Sequence, residues 1–240
     1  VCMQNLPVIF AVDRAGLVGE DGETHQGLFD IAWSRPVPNL YITAPRDGAA
    51  LRGLLETGLQ SGGPMIIRFP RGRVPESVKR RGPSSGGLSG NCLRPEIVEA
   101  GEGWVLFGYG RTVDLMLRAR EHAREIGISP LPTVVDLQCL KPLPVRELKE
   151  ILTSHSFAVI AEDGYSEGGA GEAVAAFAES IRGEAPAEVA VLGIPDIFVP
   201  QGKVCEQDEY CGLTPENVVK IYAERQKRAH RQAAPLEGAR

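Results

Sequence analysis

The sequence predicts an α/β protein of two domains, each built on a parallel sheet covered by helices. Its apolar runs are short, continuous and free of period-two alternation, the pattern of strands buried on both faces. These runs alternate with segments of helical periodicity, and a stretch rich in Gly, Pro, Ser and Arg divides the series in two. At 240 residues and 43% hydrophobic, the chain can bury one large core or two modest ones.

In the first half the apolar runs Leu6 to Val12, Leu40 to Thr43 and Pro64 to Phe69 read as strands. Between the second and third, Ala50, Leu51, Leu54, Leu55 and Leu59 recur at helical spacing, with Asp47 as N-cap and Gly62-Gly63 as terminator. From Arg71 to Arg94 no apolar periodicity survives, so this stretch reads as an exposed interdomain linker.

A second series follows. Strands are expected at Trp104 to Phe107, Thr133 to Leu137, Phe157 to Ala161 and Glu188 to Leu192. Helices are expected over Thr112 to Ile126, Val145 to Thr153 and Gly171 to Ile181, and a last one begins near Thr214-Pro215-Glu216 with the threonine as cap. This half reads as a three-layer α/β domain.

Composition narrows the function. A formal charge of -5 and a pI near 5.5 argue against a general nucleic-acid binder, whose phosphate affinity needs a basic surplus. The basic cluster Arg225 to Arg231 reads as a solvated helix end. Cys2, Cys92, Cys139, Cys205 and Cys211 are odd in number and lack CxxC spacing, so they read as reduced thiols of a cytoplasmic protein. No apolar run reaches membrane-spanning length and no signal-peptide pattern opens the chain. Val1 is not an initiator methionine and a strand begins almost at once, so the chain reads as the middle of a longer polypeptide.

The chemistry concentrates in the loop Asp13 to Gly27, which places four glycines, an arginine, several acids and a histidine behind the first strand. His25 can accept and donate protons near neutrality, with Asp21 four residues earlier; the plainer reading is a loop histidine bonded to backbone. Arg14 and Arg71 follow the first and third strands, so a parallel sheet brings both to one edge, where they suit a phosphate or carboxylate. Surface ion pairs are their alternative fate.

Other features are weaker. Gly108-Tyr109-Gly110 and Gly168-Gly169-Ala170-Gly171 could cradle a phosphate at helix starts or serve as tight turns, and neither carries a full phosphate-loop fingerprint. Glu162 and Asp163, adjacent on a strand, point apart and are not expected to share a proton or metal. His122 and His155 read as structural or solvated.

Three runs carry a family resemblance: Phe10 to Gly16 leading into Asp21-Gly22-Glu23-Thr24-His25-Gln26-Gly27; Arg68-Phe69-Pro70-Arg71-Gly72; and Gly193 to Gly202. The chain resembles the 1-deoxy-D-xylulose-5-phosphate synthases, members of the transketolase-like, thiamine-diphosphate-dependent group, over nearly its whole length to about residue 225. The resemblance implies that residues 1–72 are the second half of a pyrimidine-binding domain and 73–93 a linker. It makes 94–227 a transketolase C-terminal-type domain and leaves 228–240 as a disordered tail. It also implies condensation of pyruvate with D-glyceraldehyde 3-phosphate and loss of carbon dioxide, in isoprenoid, thiamine and pyridoxal precursor synthesis. Arg14 and Arg71 would hold the aldehyde's phosphate; His25 would contact the cofactor and exchange protons with its bound intermediate, with Asp21 beside it. Active sites in a homodimer made largely within one chain are implied as well.

The departures matter equally. The family binds the diphosphate and Mg²⁺ through a Gly-Asp-Gly motif in an N-terminal domain, and that motif does not occur here. The glutamate that activates the cofactor would precede Val1. The chain is therefore expected to lack the main cofactor-binding residues and to be inactive alone. Two alternatives stay open: a non-catalytic subunit or binding module, and a protein like the β-subunit of a 2-oxo acid dehydrogenase.

Overall fold

A computed structural model describes residues 1–81, 93–185 and 187–233. The first half holds β1 (Ile9–Val12), α1 (Asp30–Ser34), β2 (Tyr41–Thr43), α2 (Gly48–Ser61), β3 (Met65–Arg68) and α3 (Glu76–Lys79). The second holds β4 (Glu96–Glu99), β5 (Trp104–Gly108), α4 (Thr112–Glu125), β6 (Thr133–Asp136) and β7 (Cys139–Lys141). It continues with α5 (Val145–Ser154), β8 (Phe157–Tyr165), α6 (Ala170–Ser180), β9 (Glu188–Ile194), α7 (Val204–Cys211) and α8 (Pro215–Ala233).

The expected punctuation is present. Asp47 accepts a hydrogen bond from the Ala50 amide at 2.8 Å, and Gly62 closes α2 at φ 68°, the left-handed conformation that glycine adopts without a Cβ penalty. Thr214 Oγ1 likewise receives the Asn217 amide at the start of α8. Strand β3 is buried throughout, as its unbroken apolar run requires, and β5 is buried at every residue.

Two sheets result. The first has the order β1-β3-β2-β7 and the second β4-β6-β5-β8-β9. Strands β1, β3 and β2 run parallel, as do β6, β5, β8 and β9; β4 and β7 are antiparallel edges. Strand β7 belongs to the second half of the chain yet pairs with β2 of the first, placing Ile42 opposite Lys141. One hydrophobic cluster joins Ile31, Ile42 and Ile66 from the first half to Val105, Phe107 and Val135 from the second. The halves are thus fused through a shared strand and a shared core.

Three expectations change. The segment read as an exposed linker contains α3, whose Val78 is 1% exposed in the core, and Ser77 hydrogen-bonds Asp114 of α4. The tail expected from residue 228 begins as helix, since α8 runs on to Ala233. Strands β4 and β7 and helices α1, α3 and α7 were not anticipated. The rest of the linker, residues 82–92 with Cys92, lies outside the described residues, as do residues 234–240.

Candidate active site at the β1 and β3 strand ends

Val12 pairs with Arg68 across β1 and β3, so both strands release the chain at the same sheet edge. The Ala15 amide donates to Phe69 O at 3.1 Å and ties the two exits together. The loop then closes on itself, Gly16 and Gly27 exchanging backbone hydrogen bonds of 2.7 and 2.9 Å. Within it lie two 3-10 turns, Gly19–Asp21 and Glu23–His25. Arg14 itself sits at φ 54°. For a residue with a Cβ that conformation costs roughly 1–2 kcal/mol, so the surrounding backbone holds this side chain in place against its local preference.

This geometry brings together three of the four residues singled out in the sequence. Asp21 Oδ2 accepts from Arg14 Nε at 3.0 Å, and Oδ1 accepts from Arg71 Nη1 at 2.7 Å. Arg14 also pairs with Asp13 at 3.1 Å. The hydrogen bond from Arg71, then that from Arg14, holds the Asp21 carboxyl below the usual carboxylate range, and Asp21 in turn raises Arg14. At neutral pH Asp21 is therefore an ionised bridge between two cations. Both arginine side chains remain substantially open to solvent, at 48% and 59% exposure.

His25 stands one 3-10 turn further on and is exposed. Its Nδ1 lies 3.0 Å from Thr24 Oγ1 and its amide donates to Gly22 O. Among the described residues no hydrogen bond or ion pair links it to the Arg14-Asp21-Arg71 cluster.

Beneath the loop lies a buried network that sequence reading missed. Arg68 and Asp163 are each 1% exposed, and Arg68 Nη1 donates to Asp163 Oδ2 at 3.3 Å. Arg68 also donates to Asp30 at 2.8 Å and to Asp163 O at 3.0 Å, and Asp163 pairs with Arg111, which reaches Asp208. Burial alone would lower the Arg68 pKa, but the charges of Asp163 and Asp30 outweigh it and raise it. The signal was an arginine inside the apolar run Met65-Ile66-Ile67-Arg68, which cannot stay buried without carboxylates. A cleft of about 400 Å³ opens between the sheets beside Arg71, lined also by Arg73, Arg111, Arg118 and Asp208.

The glycine-rich turns of the second half are structural. At α6 the Gly171 amide hydrogen-bonds Glu162, whose carboxyl also receives Tyr109 Oη, so an internal carboxylate fills the helix start. A Cβ on Gly169 would come within 2.6 Å of that carboxyl. Glu162 and Asp163 point to different partners, as expected of strand neighbours. His155 bonds Thr133 Oγ1 at 2.8 Å, and His122 lies on α4 near Glu125.

Cys2, Cys139, Cys205 and Cys211 are free thiols, and burial pushes Cys139 up to about 12. Among the described residues no helix is long and apolar enough to cross a membrane. No cluster of three or more His, Cys, Asp or Glu side chains is placed to hold a metal there either.

Comparison with known proteins agrees with the architecture. Residues 1–77 match the transketolase pyrimidine-binding domain and 94–218 the transketolase C-terminal domain. The 1-deoxy-D-xylulose-5-phosphate synthase of Carboxydothermus hydrogenoformans is 40% identical over 93% of this chain and 35% of its own length. That of Thermus thermophilus is 39% identical over 93% of this chain and 34% of its own. The chain therefore spans about a third of the curated relatives it matches. A solved structure described as a split-gene transketolase, an inactive β4 tetramer, superposes with a TM-score of 0.78 at 28% identity, over 93% of this chain and 68% of that one. With its two domain matches and this fold, the chain belongs to the transketolase family and carries that family's pyrimidine-binding and C-terminal domains.

Proposed function

We propose that this chain is part of a 1-deoxy-D-xylulose-5-phosphate synthase, which condenses pyruvate and D-glyceraldehyde 3-phosphate with loss of carbon dioxide. The observation that carries the reading is the pair Arg14 and Arg71. Arising from two strand ends, they grip the two oxygens of one carboxylate while staying open to solvent. Two such donors suit two oxygens of a phosphate monoester, whose second charge lets it compete with Asp21 for both guanidinium groups. Asp21 keeps the arginines oriented between turnovers. His25, exposed on the next turn, is the proton-handling group.

Thiamine diphosphate with Mg²⁺ supplies the electron sink in this reaction class. The 240 residues contain no Gly-Asp-Gly run, and no three His, Cys, Asp or Glu side chains cluster to hold a metal among the described residues. This chain contributes substrate grip and proton handling, and the cofactor's anchor belongs to other residues of a dimeric enzyme working in the cytoplasm. Mixed alone with thiamine diphosphate, Mg²⁺, pyruvate and D-glyceraldehyde 3-phosphate, the chain is expected to give no product.

A second reading, a non-catalytic assembly subunit, is favoured by the inactive tetramer that the fold resembles. Calorimetric titration with glycerol 3-phosphate, an unreactive phosphomonoester, separates the two. Saturable binding that Arg14→Ala or Arg71→Ala weakens about tenfold or more supports the synthase reading; no binding by the unaltered chain supports the subunit.

A further inference from the structure

We infer that Gln207, on α7 of the C-terminal domain, is a positioning residue for the Arg14-Asp21-Arg71 cluster, which it controls by clamping the backbone of Gly19. The relation to that cluster rests on the proposed phosphate-binding role of the two arginines; the clamp itself does not.

Gln207 is 2% exposed and its primary amide is almost fully used. Oε1 accepts from the Gly19 amide at 3.0 Å, while Nε2 donates to Gly19 O at 3.3 Å and to Pro200 O at 2.8 Å. One side chain thus satisfies both backbone groups of Gly19 and joins them to the segment that precedes α7. Gly19 opens the 3-10 turn that ends at Asp21, and its carbonyl also receives the Gly22 amide. It stands at φ 71°, and a Cβ there would meet Val204 Cγ2 at 3.2 Å and Gly202 O at 3.3 Å. The orientation of the turn, and with it the direction of the Asp21 carboxylate, is therefore set where the loop touches α7.

The neighbouring contacts act in the same sense. Gln201 Nε2 donates to Glu20 O at 2.9 Å, and a Cβ on Gly16 would fall 2.1 Å from Asp163 Oδ1. The C-terminal domain touches the loop at Gly16, Gly19 and Glu20, and among these contacts Gln207 alone binds a residue by both its amide and its carbonyl. Removing its amide takes the partner from the buried Gly19 N–H, leaves the Gly19 carbonyl only the Gly22 amide, and unties Pro200 O, and the turn gains freedom to rotate.

Gln207→Met conserves volume and removes all three hydrogen bonds; Gln207→Ala is the second variant should the first fail to fold. Hydrogen exchange in the peptide spanning Gly19 to Gly22 is expected to accelerate at least tenfold over the unaltered chain, with exchange in β5 unchanged. Affinity for glycerol 3-phosphate is expected to fall at least threefold. Unchanged exchange in the folded variant overturns the clamp. Faster exchange with undiminished affinity overturns its control of the arginine cluster. If the unaltered chain binds no glycerol 3-phosphate, the phosphate reading falls, its link to Gln207 falls with it, and exchange alone decides the clamp.

Discussion

Arg68 at the end of β3 and Asp163 on β8 meet across the two sheets, each 1% exposed, with Nη1 3.3 Å from Oδ2. This buried pair lies directly under the loop that carries Arg14. Removing one partner of such a pair leaves an uncompensated interior charge, typically a cost of about 3–5 kcal/mol. Asp163→Ala, which leaves Arg68 with Asp30 and Arg111 with Asp208 as their remaining carboxylates, is expected to lower unfolding stability toward the lower end of that range in urea titration. A loss under 1 kcal/mol would mean that water or another carboxylate replaces Asp163.

Arg14 and Arg71 are exposed, so their replacement tests binding with little effect on the fold. Losing one charge-assisted hydrogen bond to phosphate costs about 1.5–3 kcal/mol, or roughly ten- to hundredfold in affinity for glycerol 3-phosphate. Each alanine variant is expected to show this weakening with its melting temperature within a few degrees of the parent. Lysine at either site is expected to recover only part of it, because an ammonium lacks the planar fork.

Two glycines of the loop separate steric contact from backbone preference. Gly16 at φ 80° would place a Cβ 2.1 Å from Asp163 Oδ1, whereas Gly22 at φ 87° has nothing within 4 Å. Gly22→Ala pays only a conformational cost of about 1–3 kcal/mol. Gly16→Ala adds a clash with a locked carboxylate and is expected to destabilise more. Equal losses in thermal unfolding would contradict that ordering.

Asp136 is buried beside Arg46 and is pushed up to about 7 by burial, against the opposing pull of Arg46. With its folded value above its unfolded one, the folded state binds the proton more tightly. The stability this gives is complete at low pH and is lost as pH rises from about 4 to 7. Asp136→Asn keeps the oxygen that accepts the Gln138 amide and removes the titration. It is expected to flatten the decline in melting temperature between pH 5 and 8; an unchanged slope would exclude Asp136 as its source.

Local chemistry was legible wherever one residue type answers one geometric need. Asp47 and Gly62 marked the ends of α2, Thr214 the start of α8, and the parallel β1 and β3 brought Arg14 to Arg71 as their positions implied. What escaped depended on distant partners. Strand β7 is three residues long and forms because β2 offers an edge, so no periodicity announces it. Helix α7 is polar with weak amphipathicity, and its use lies in presenting Gln207 to Gly19 of the other half and Asp208 to Arg111. Arg68 was visible as an arginine in a buried strand, but Asp163 and Asp30 could be assigned to it only once the sheets were packed. The Asp21 bridge was likewise hidden, since residue spacing says nothing of which cation a loop carboxylate will choose.

The strand exchange at β7 bears on how this protein can be dissected. Dividing the chain between the two domain matches would strip β2 of its antiparallel neighbour and bare the backbone of Ile42 and Thr43, which are otherwise shielded. Such an edge invites pairing with other copies. The N-terminal piece expressed alone would therefore be drawn toward aggregation, because the strand that covers its edge comes from the other half.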